Sequence, residues 1–212
     1  IDMNTLDYIL KKFNITFGRR TPMPIEIPNV GRDQLAVLFA ELGFEKGAEI
    51  GVLAGEYSEI LCKNNAGLEL FGIDPYKAYS QHRSQKQLDG FREEAKPRLG
   101  IYKNYHFIEK SSRDAVKEFE NEELDFVYID GDHDFLHVTE DITFWSEKIR
   151  KGGIISGHDY IRRKEPTSTH VVEAVNFYVK SNNIQPWFLM GLNAKIPGMI
   201  RDRHRSWMWV KT

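Results

Sequence analysis

Short apolar runs alternate with longer amphipathic stretches along most of the chain. Apolar runs of about four to eight residues bounded by glycine or polar residues predict buried strands, whereas apolar positions three and four residues apart predict helices. Strands are predicted at residues 48–53, 68–75, 105–111, 126–129, 151–160, 185–190 and 206–211. Helices are predicted at residues 2–13, 31–42, 77–100, 112–120, 138–150 and 169–180, and another follows Gly55. This alternation favours an α/β fold with a mostly parallel sheet.

The N-terminal part of the chain has a different pattern. Apolar residues at helical spacing predict a helix over residues 2–13. Three prolines within residues 18–28 exclude a regular helix there and predict an extended segment that crosses the molecule. We therefore divide the chain into a helix with a proline-rich extension, residues 1–30, and one α/β domain, residues 31–212.

The composition narrows the classes of function. Hydrophobic residues make up 41% of the 212 residues and charged residues 28%, as in ordinary soluble globular proteins. The formal net charge of −2 provides no general attraction to nucleic acid or to an anionic membrane. No apolar run has membrane-spanning length, and we expect no signal peptide. Because Cys62 is the only cysteine, no intrachain disulfide is possible, and a reducing, cytoplasmic location is expected.

Residues 47–61 combine a buried strand, a glycine turn and a helix, which is the opening βα unit of a nucleotide-binding sheet. Gly51 and Gly55 lack a Cβ, so the backbone can approach a ligand closely. The dinucleotide fingerprint is broken, because Leu53 and Glu56 occupy its second and third glycine positions. Glu49 and Glu56 favour a ligand with an ammonium, a sulfonium and ribose hydroxyls over one with phosphates. A tight turn without a ligand is the alternative.

Polar side chains follow three of the predicted strands. Asp74 lies at the end of the strand predicted over residues 68–75, where an acidic side chain can accept hydrogen bonds from ribose hydroxyls or cap a turn before Pro75. A second group, Asp130, Asp132, His133 and Asp134, follows residues 126–129, and His158 and Asp159 end the strand over residues 151–160. Parallel strands bring their carboxyl ends to one edge of a sheet, where ligands bind.

The turn E-x-G-x-x-x-G from Glu49 to Gly55, Asp74, and the pair I-D-G-D-H and G-G-I-I-S-G-H-D-Y resemble the class I S-adenosylmethionine (SAM)-dependent methyltransferases. The resemblance is to the family related to the catechol and macrolide-sugar O-methyltransferases and extends from about residue 31 to the end. It implies a three-layer Rossmann-like fold with a seven-stranded, mostly parallel sheet and an antiparallel last strand. It also implies SAM as cofactor, bound by Glu49, Gly51, Gly55, Ser58, Asp74, Ser111, Ser112 and Asp130. Ser111 and Ser112 are equally expected as helix N-caps.

The same resemblance implies a set of metal ligands. In metal-dependent members, the positions of Asp130, His158 and Asp159 bind Mg²⁺. His158 departs from the usual carboxylate, which favours a softer ion or none, since Mg²⁺ prefers oxygen ligands. His133 is the first candidate for a general base because its unperturbed pKa lies near neutrality. Asp130 would orient it or hold an ion, and His158 is the second candidate. Helix capping is the alternative role for His133.

The leading functional hypothesis is methyl transfer from SAM to a hydroxyl of a small molecule, sugar or glycan. A nicotinamide-dependent oxidoreductase and a non-catalytic cofactor-binding module are the alternatives. Two basic groups are compatible with an anionic acceptor, but solvated charged loops are the simpler explanation for them. They comprise Arg162, Arg163 and Lys164 after one strand, and Arg201, Arg203, His204 and Arg205 before the last. We expect no nucleic acid or membrane partner, and a homo-oligomer remains open.

Overall fold

The computed structural model describes residues 4–78, 83–162, 169–192 and 194–212. Its centre is an eight-stranded sheet in the order β1-β7-β8-β6-β5-β2-β3-β4. The strands are β1 (Ile25–Ile27), β2 (Lys46–Ile50), β3 (Glu69–Ile73), β4 (Tyr105–Ile108), β5 (Leu124–Ile129), β6 (Ile149–Gly157), β7 (Trp187–Met190) and β8 (Trp207–Val210). All neighbouring strands are parallel except for β8, which is antiparallel to both β6 and β7.

Helices cover both faces of this sheet. They are α1 (Thr5–Lys12), α2 (Arg32–Glu41), α3 (Glu56–Asn64), α4 (Gln85–Leu99), α5 (Ser112–Ala115), α6 (Phe135–Lys148) and α7 (Val171–Ser181), with a 3₁₀ turn at Val116–Glu118. Residues of α1, α2 and α3 form the core on one face, and residues of α5, α6 and α7 form it on the other. The predicted three-layer Rossmann-like fold with an antiparallel last strand is confirmed.

The prediction of seven strands is wrong by one. The extra strand, β1, lies within the segment predicted as an extended crossing, and it pairs in parallel with β7, with Ile25 opposite Phe188. The prolines flank β1 rather than interrupt it, and an edge strand tolerates residues without an N–H donor. A three-residue strand whose partner lies more than 150 residues further along leaves no periodic signal in the sequence.

The helix predicted over residues 77–100 is shorter than expected. It begins at Gln85, because the Ser84 side chain accepts a hydrogen bond from the Gln87 N–H and the Gln87 side chain accepts one from the Ser84 N–H. Residues 79–82 lie outside the described part of the chain. Pro97 does not end the helix, since it lies in the last turn and the Gly100 N–H still bonds to the Lys96 carbonyl at 2.8 Å.

Close packing around β5 explains why residue 47 of β2 is a glycine. Phe39 of α2 stacks on Phe126 of β5 with ring centroids 4.0 Å apart. A Cβ on Gly47 would lie 2.2 Å from the Phe126 ring, so the absence of a side chain at Gly47 makes room for this aromatic pair. Across the sheet, Trp145 of α6 and Trp207 of β8 are fully buried.

Residues before position 31 take part in the same core. Ile9 of α1 and Ile27 of β1 are 0% and 3% exposed and pack in the cluster that contains Leu35 and Phe39. The division of the chain at residue 30 stays a prediction. Among the described residues, none of the helices combines the length and apolar composition needed to cross a bilayer.

Candidate functional site

A cavity of about 940 Å³ opens at the carboxyl ends of β2, β3, β5 and β6. This is the edge at which open α/β sheets bind ligands. Its wall includes most of the predicted site residues: Glu49, Gly51, Asp74, Ser111, Ser112, Asp130, His133, His158 and Asp159. Gly55 and Ser58 do not lie on this wall.

The glycine turn between β2 and α3 is shaped by contacts within the protein. Gly51 has a φ of +92°, and a Cβ there would lie 2.2 Å from the Asp130 carbonyl oxygen. Gly55 has a φ of +76°, and its Cβ would lie 2.6 Å from the Leu99 side chain. Both glycines are therefore required by the left-handed backbone and by close neighbours in the protein. The expected close approach of a ligand applies only to Gly51, which lies on the cavity wall.

Asp74 ties the end of β3 to this turn. Its Oδ2 accepts hydrogen bonds from the Val52 and Leu53 N–H groups at 3.1 and 3.0 Å, and its Oδ1 accepts one from the Tyr76 N–H at 2.8 Å. Burial raises the pKa of Asp74, and these hydrogen bonds oppose the increase. A carboxylate has about four acceptor sites, so Asp74 can still accept a hydrogen bond from a ligand hydroxyl.

Glu49 is 2% exposed and accepts a hydrogen bond from the Ser58 hydroxyl. Burial raises the pKa of Glu49 to about 8, despite this bond, and the nearby Asp130 carboxylate adds to the increase. Glu49 is therefore largely protonated near neutral pH. Ser58 is fully buried behind Glu49, so it positions this carboxyl group rather than lining the cavity.

The two serines at the start of α5 have structural partners. Ser111 is the N-cap of α5 and accepts a hydrogen bond from the Asp114 N–H at 3.2 Å. Ser112 donates a hydrogen bond to Asp141 and accepts one from the Trp145 indole N–H at 2.8 Å. Both serines also line the cavity, so the capping role and a ligand contact are compatible.

The predicted catalytic and metal-binding side chains meet where β5 and β6 end. The His133 Nε2 lies 3.1 Å from Asp159 Oδ2 and 3.6 Å from Asp130 Oδ1. The His158 Nδ1 lies 3.5 Å from Asp130 Oδ2 and 3.9 Å from Asp159 Oδ2. His133 does not cap α6, because Asp134 occupies that position and accepts a hydrogen bond from the His137 N–H at 3.0 Å.

Opposite charges tune the pKa values within this group. Burial raises the pKa of Asp130, but the adjacent His133 and His158 imidazoles outweigh it and bring the pKa to about 2. Burial lowers the pKa of both histidines, but the Asp130 and Asp159 carboxylates outweigh it, and both pKa values lie above the ordinary 6.5. The His133 Nε2 is also buried without a hydrogen bond to any described residue.

Comparison with known families gives a match over more than half of the chain. A family model described as a methyltransferase domain matches residues 48–160. The chain belongs to this methyltransferase family. The recognition of a class I methyltransferase from its motifs is confirmed, and no curated protein matches the sequence.

Solved structures share the fold of this methyltransferase. An O-methyltransferase from Bacillus cereus in complex with S-adenosylhomocysteine (SAH) is 16% identical, with a TM-score of 0.60 over 98% of this chain and 90% of that one. The O-methyltransferase TomG from Streptomyces achromogenes, involved in tomaymycin synthesis and solved with SAM, is 14% identical, with a TM-score of 0.57 over 100% and 92% of the two chains. At this identity the likeness establishes the fold.

Two side chains at this site are not among the residues that the sequence predicts for it. Arg32, the first residue of α2, lines the cavity, with its Nη1 3.9 Å from Asp130 Oδ2. His204 pairs through its Nδ1 with Asp159 Oδ1, whereas the sequence predicts it only as part of a basic loop. Nearly 100 residues separate Arg32 from Asp130, so local patterns cannot associate them.

A second group of possible metal ligands, Asp132, Asp134 and His137, lies at the start of α6 and is more exposed. Asp132 Oδ1 accepts hydrogen bonds from the N–H groups of His133 and Asp134 at 2.7 and 3.3 Å. Asp134 caps the helix. These contacts stabilise the strand-to-helix connection that carries His133.

Proposed function

We propose that this methyltransferase transfers a methyl group from SAM to a hydroxyl oxygen of a small molecule or sugar. The observation that carries the proposal is the group formed by Asp130, His133, His158 and Asp159, on the same cavity wall as the glycine turn and Asp74. Methyl transfer to a hydroxyl requires removal of its proton, and His133 is the base in this proposal. A neighbouring fold solved with SAH and another solved with SAM support this choice of cofactor.

The cavity wall fits the chemistry of SAM. Asp74 retains acceptor sites for the ribose hydroxyls, and the buried Glu49 carboxyl suits an ammonium group. Gly51 leaves the backbone open on the same wall. When bound, SAM supplies a methyl group that its sulfonium already activates. The protein therefore has to align the acceptor oxygen and remove its proton.

His133 acts as the base in this proposal. Only the neutral imidazole accepts a proton, so His133 has to be in its neutral form before reaction. Asp159 and Asp130 then stabilise the imidazolium that forms, since both carboxylates lie within 3.6 Å of Nε2. His158 contacts the same Asp130 and is the alternative base.

A divalent ion is a further part of the proposal. The proposed ligands are Asp130, His158 and Asp159, with the His158 Nδ1 3.5 Å from Asp130 Oδ2 and 3.9 Å from Asp159 Oδ2, which leaves His133 to act as the base. A set containing imidazole suits Zn²⁺, Ni²⁺ or Fe²⁺ better than Mg²⁺. Such an ion would polarise the acceptor oxygen. Activity that is lost in a chelator and restored by one of these ions would support the metal site. Full activity in excess chelator would contradict it.

The acceptor is proposed to carry an anionic group. A second cavity, of about 280 Å³, is lined by Tyr160, Ile161, Arg162, Val172 and Arg205. The first three of these residues directly follow Asp159 in the chain. Arg205 is partly neutralised, since its Nη2 lies 3.0 Å from Glu26, whereas Arg162 is exposed. Arg163 and Lys164 lie outside the described residues. Once an acceptor is known, Arg162→Gln should raise its KM at constant kcat and leave an uncharged analogue unaffected.

Ligand binding tests the cofactor assignment. The wild-type protein should bind SAH and not NAD in calorimetric titrations, whereas tight NAD binding would favour the oxidoreductase. Asp74→Ala should weaken SAH binding about tenfold to hundredfold, because a hydrogen bond to a charged group contributes about 1.5–3 kcal/mol. Glu94→Gln, an exposed change on α4, is the control. Unchanged SAH affinity in a folded Asp74→Ala variant would contradict the assignment.

Turnover tests the reaction itself. Incubating the protein with SAM and a library of hydroxylated metabolites and glycans, followed by mass spectrometry, should show an oxygen-linked mass increase of one methylene. Formation of SAH together with a methylated oxygen would separate an active enzyme from a binding module. Methylation confined to nitrogen or carbon would contradict the choice of acceptor atom.

A further inference from the structure

Arg32 places a permanent positive charge on an otherwise acidic part of the cavity wall. Its side chain is 33% exposed, and its Nη1 lies 3.9 Å from Asp130 Oδ2, which is longer than a hydrogen bond. Glu49, Tyr57 and Asp130 line the same cavity. The guanidinium group therefore interacts electrostatically with Asp130 and Glu49 without donating a hydrogen bond to Asp130.

Contacts with α3 hold Arg32 in position. Its guanidinium carbon lies 5.4 Å from the centre of the Tyr57 ring, a cation–π distance. The Tyr57 hydroxyl donates a hydrogen bond to the Arg32 carbonyl at 3.0 Å, and Tyr57 itself is 3% exposed. A buried aromatic residue thus fixes both the backbone and the side chain of Arg32, so binding a ligand would cost little side-chain entropy.

The other arginine and lysine residues among the described residues of the cavity wall lie on different elements. Lys77 follows Asp74 after β3, Arg83 precedes α4, and Arg113 is on α5. Lys77 lies three residues after Asp74 in the chain, and the Arg113 Nη1 lies 3.9 Å from Glu140 Oε1 of α6. Arg32 enters instead from α2, beside the ends of β2 and β5.

The proposed cofactor has an amino-acid end that needs such a cation. With the ribose at Asp74, a ligand that continued past Gly51 along the same cavity wall would reach Glu49 and Asp130. The ammonium group of the methionine moiety suits the carboxyl oxygens of both residues, but its carboxylate would be repelled by the ionised Asp130. A guanidinium group matches a carboxylate with two parallel N–H donors. We propose that Arg32 binds the carboxylate of the methionine moiety of SAM, an inference that rests on the proposed function.

Three ligands isolate this interaction. SAH carries both the ammonium and the carboxylate, decarboxylated SAH keeps the ammonium alone, and 5′-methylthioadenosine lacks both. Arg32→Gln should weaken SAH binding about tenfold to hundredfold and change the affinity for the other two ligands by less than about twofold. Arg32→Lys should give an intermediate loss, because an ammonium group keeps the charge but not the bidentate geometry. Arg113→Gln is the matched control and should leave the ratio of the three affinities unchanged.

The outcomes separate the inference from the proposed function. If the wild-type protein binds none of the three ligands, the cofactor assignment itself is wrong. If it binds SAH but Arg32→Gln weakens all three ligands equally, or none, the carboxylate assignment is wrong while the cofactor assignment stands. An unchanged SAH affinity with a raised KM for the acceptor would assign Arg32 to the acceptor and overturn the inference. Circular dichroism and the melting temperature establish that each variant is folded.

Discussion

At the scale of single residues, two buried acids hold protons that solvent-exposed acids would lose. Burial raises the pKa of Glu49 from 4.5 to about 8 and that of Asp141 from 3.8 to about 7. The folded protein therefore keeps protons that the unfolded chain releases between these pH values. Stability that is present at low pH is lost as the pH rises through this window.

We expect the free energy of unfolding to fall between about pH 4.5 and pH 8 and to level off above it, as far as Glu49 is concerned. Glu49→Gln, which cannot ionise, should make this slope shallower. Asp141→Asn should do the same up to about pH 7. Urea denaturation of the ligand-free protein across this range measures the slope, and Glu94→Gln on the exposed side of α4 is the control. An identical slope in Glu49→Gln would show that Glu49 is already ionised.

The general base is a second question at the scale of single residues. Because the pKa of His133 lies above its ordinary 6.5, kcat should rise with pH through an ionisation above that value. His133→Gln should lower kcat by about 10²–10⁴-fold, remove this ionisation and leave SAH affinity nearly unchanged.

His158→Gln is the comparison for His133, since both imidazoles contact Asp130. The dependence of kcat on pH reports the titration of both histidines together, because they share Asp130. The two variants therefore have to be measured side by side. A His133→Gln enzyme that keeps its rate and its ionisation, beside an inactive His158→Gln enzyme, would transfer the role of base to His158.

At the scale of elements, the turn between β2 and α3 holds several residues in the left-handed region. Leu53 has a φ of +51°, between Gly51 at +92° and Gly55 at +76°. Asp74 accepts hydrogen bonds from Val52 and Leu53, and the Tyr76 hydroxyl donates one to the Leu53 carbonyl at 2.7 Å. Backbone in sparsely populated regions persists where its surroundings hold it, and it is common at ligand sites.

Gly51→Ala should destabilise the protein and weaken SAH binding. Its Cβ would lie 2.2 Å from the Asp130 carbonyl oxygen, so β2 and β5 would have to separate at the site. Gly43→Ala is the matched control, since Gly43 also has a positive φ, +66°, but has open space around its Cβ position. Positive φ alone costs of order 1 kcal/mol. In urea denaturation, Gly51→Ala should lower the free energy of unfolding by more than Gly43→Ala does. Equal losses would show that the structure around Gly51 shifts to accommodate the Cβ.

At the scale of the whole molecule, α1 and β1 extend the core built by the sheet and α2. The Thr5 hydroxyl of α1 donates a hydrogen bond to the Gly152 carbonyl at 2.6 Å, and β1 adds a parallel strand beyond β7. These contacts join the first residues of the chain to its C-terminal half. We therefore expect the chain to unfold in one transition.

Ile9→Ala tests this expectation. Ile9 is 0% exposed, and removing a buried isoleucine side chain typically costs about 2–5 kcal/mol. Ile101→Ala, at a residue that is 72% exposed, should change the free energy of unfolding by less than about 0.5 kcal/mol. If residues 1–30 formed an independent extension, Ile9→Ala would leave the main urea transition unchanged, which would contradict a shared core.

Local patterns are sufficient for the frame of this methyltransferase. The alternation of strands and helices and the polar ends of two strands lie within short segments, so they predict the α/β class and the edge that carries the site. The resemblance of the E-x-G-x-x-x-G turn and its companion motifs to methyltransferases implies the Rossmann-like fold. The placement of Asp130, His133, His158 and Asp159 together follows from the parallel order of β5 and β6. Element boundaries are less accurate, because caps such as Ser84 determine them.

Contacts between distant residues settle the remaining features. Arg32 approaches Asp130, His204 pairs with Asp159, and Ile25 pairs with Phe188, in each case across more than 40 residues of chain. The pKa values also depend on tertiary structure, since Glu49 keeps its proton only because the fold buries its carboxyl group. No periodic or composition signal records such neighbours, because they arise only when separate elements pack against one another.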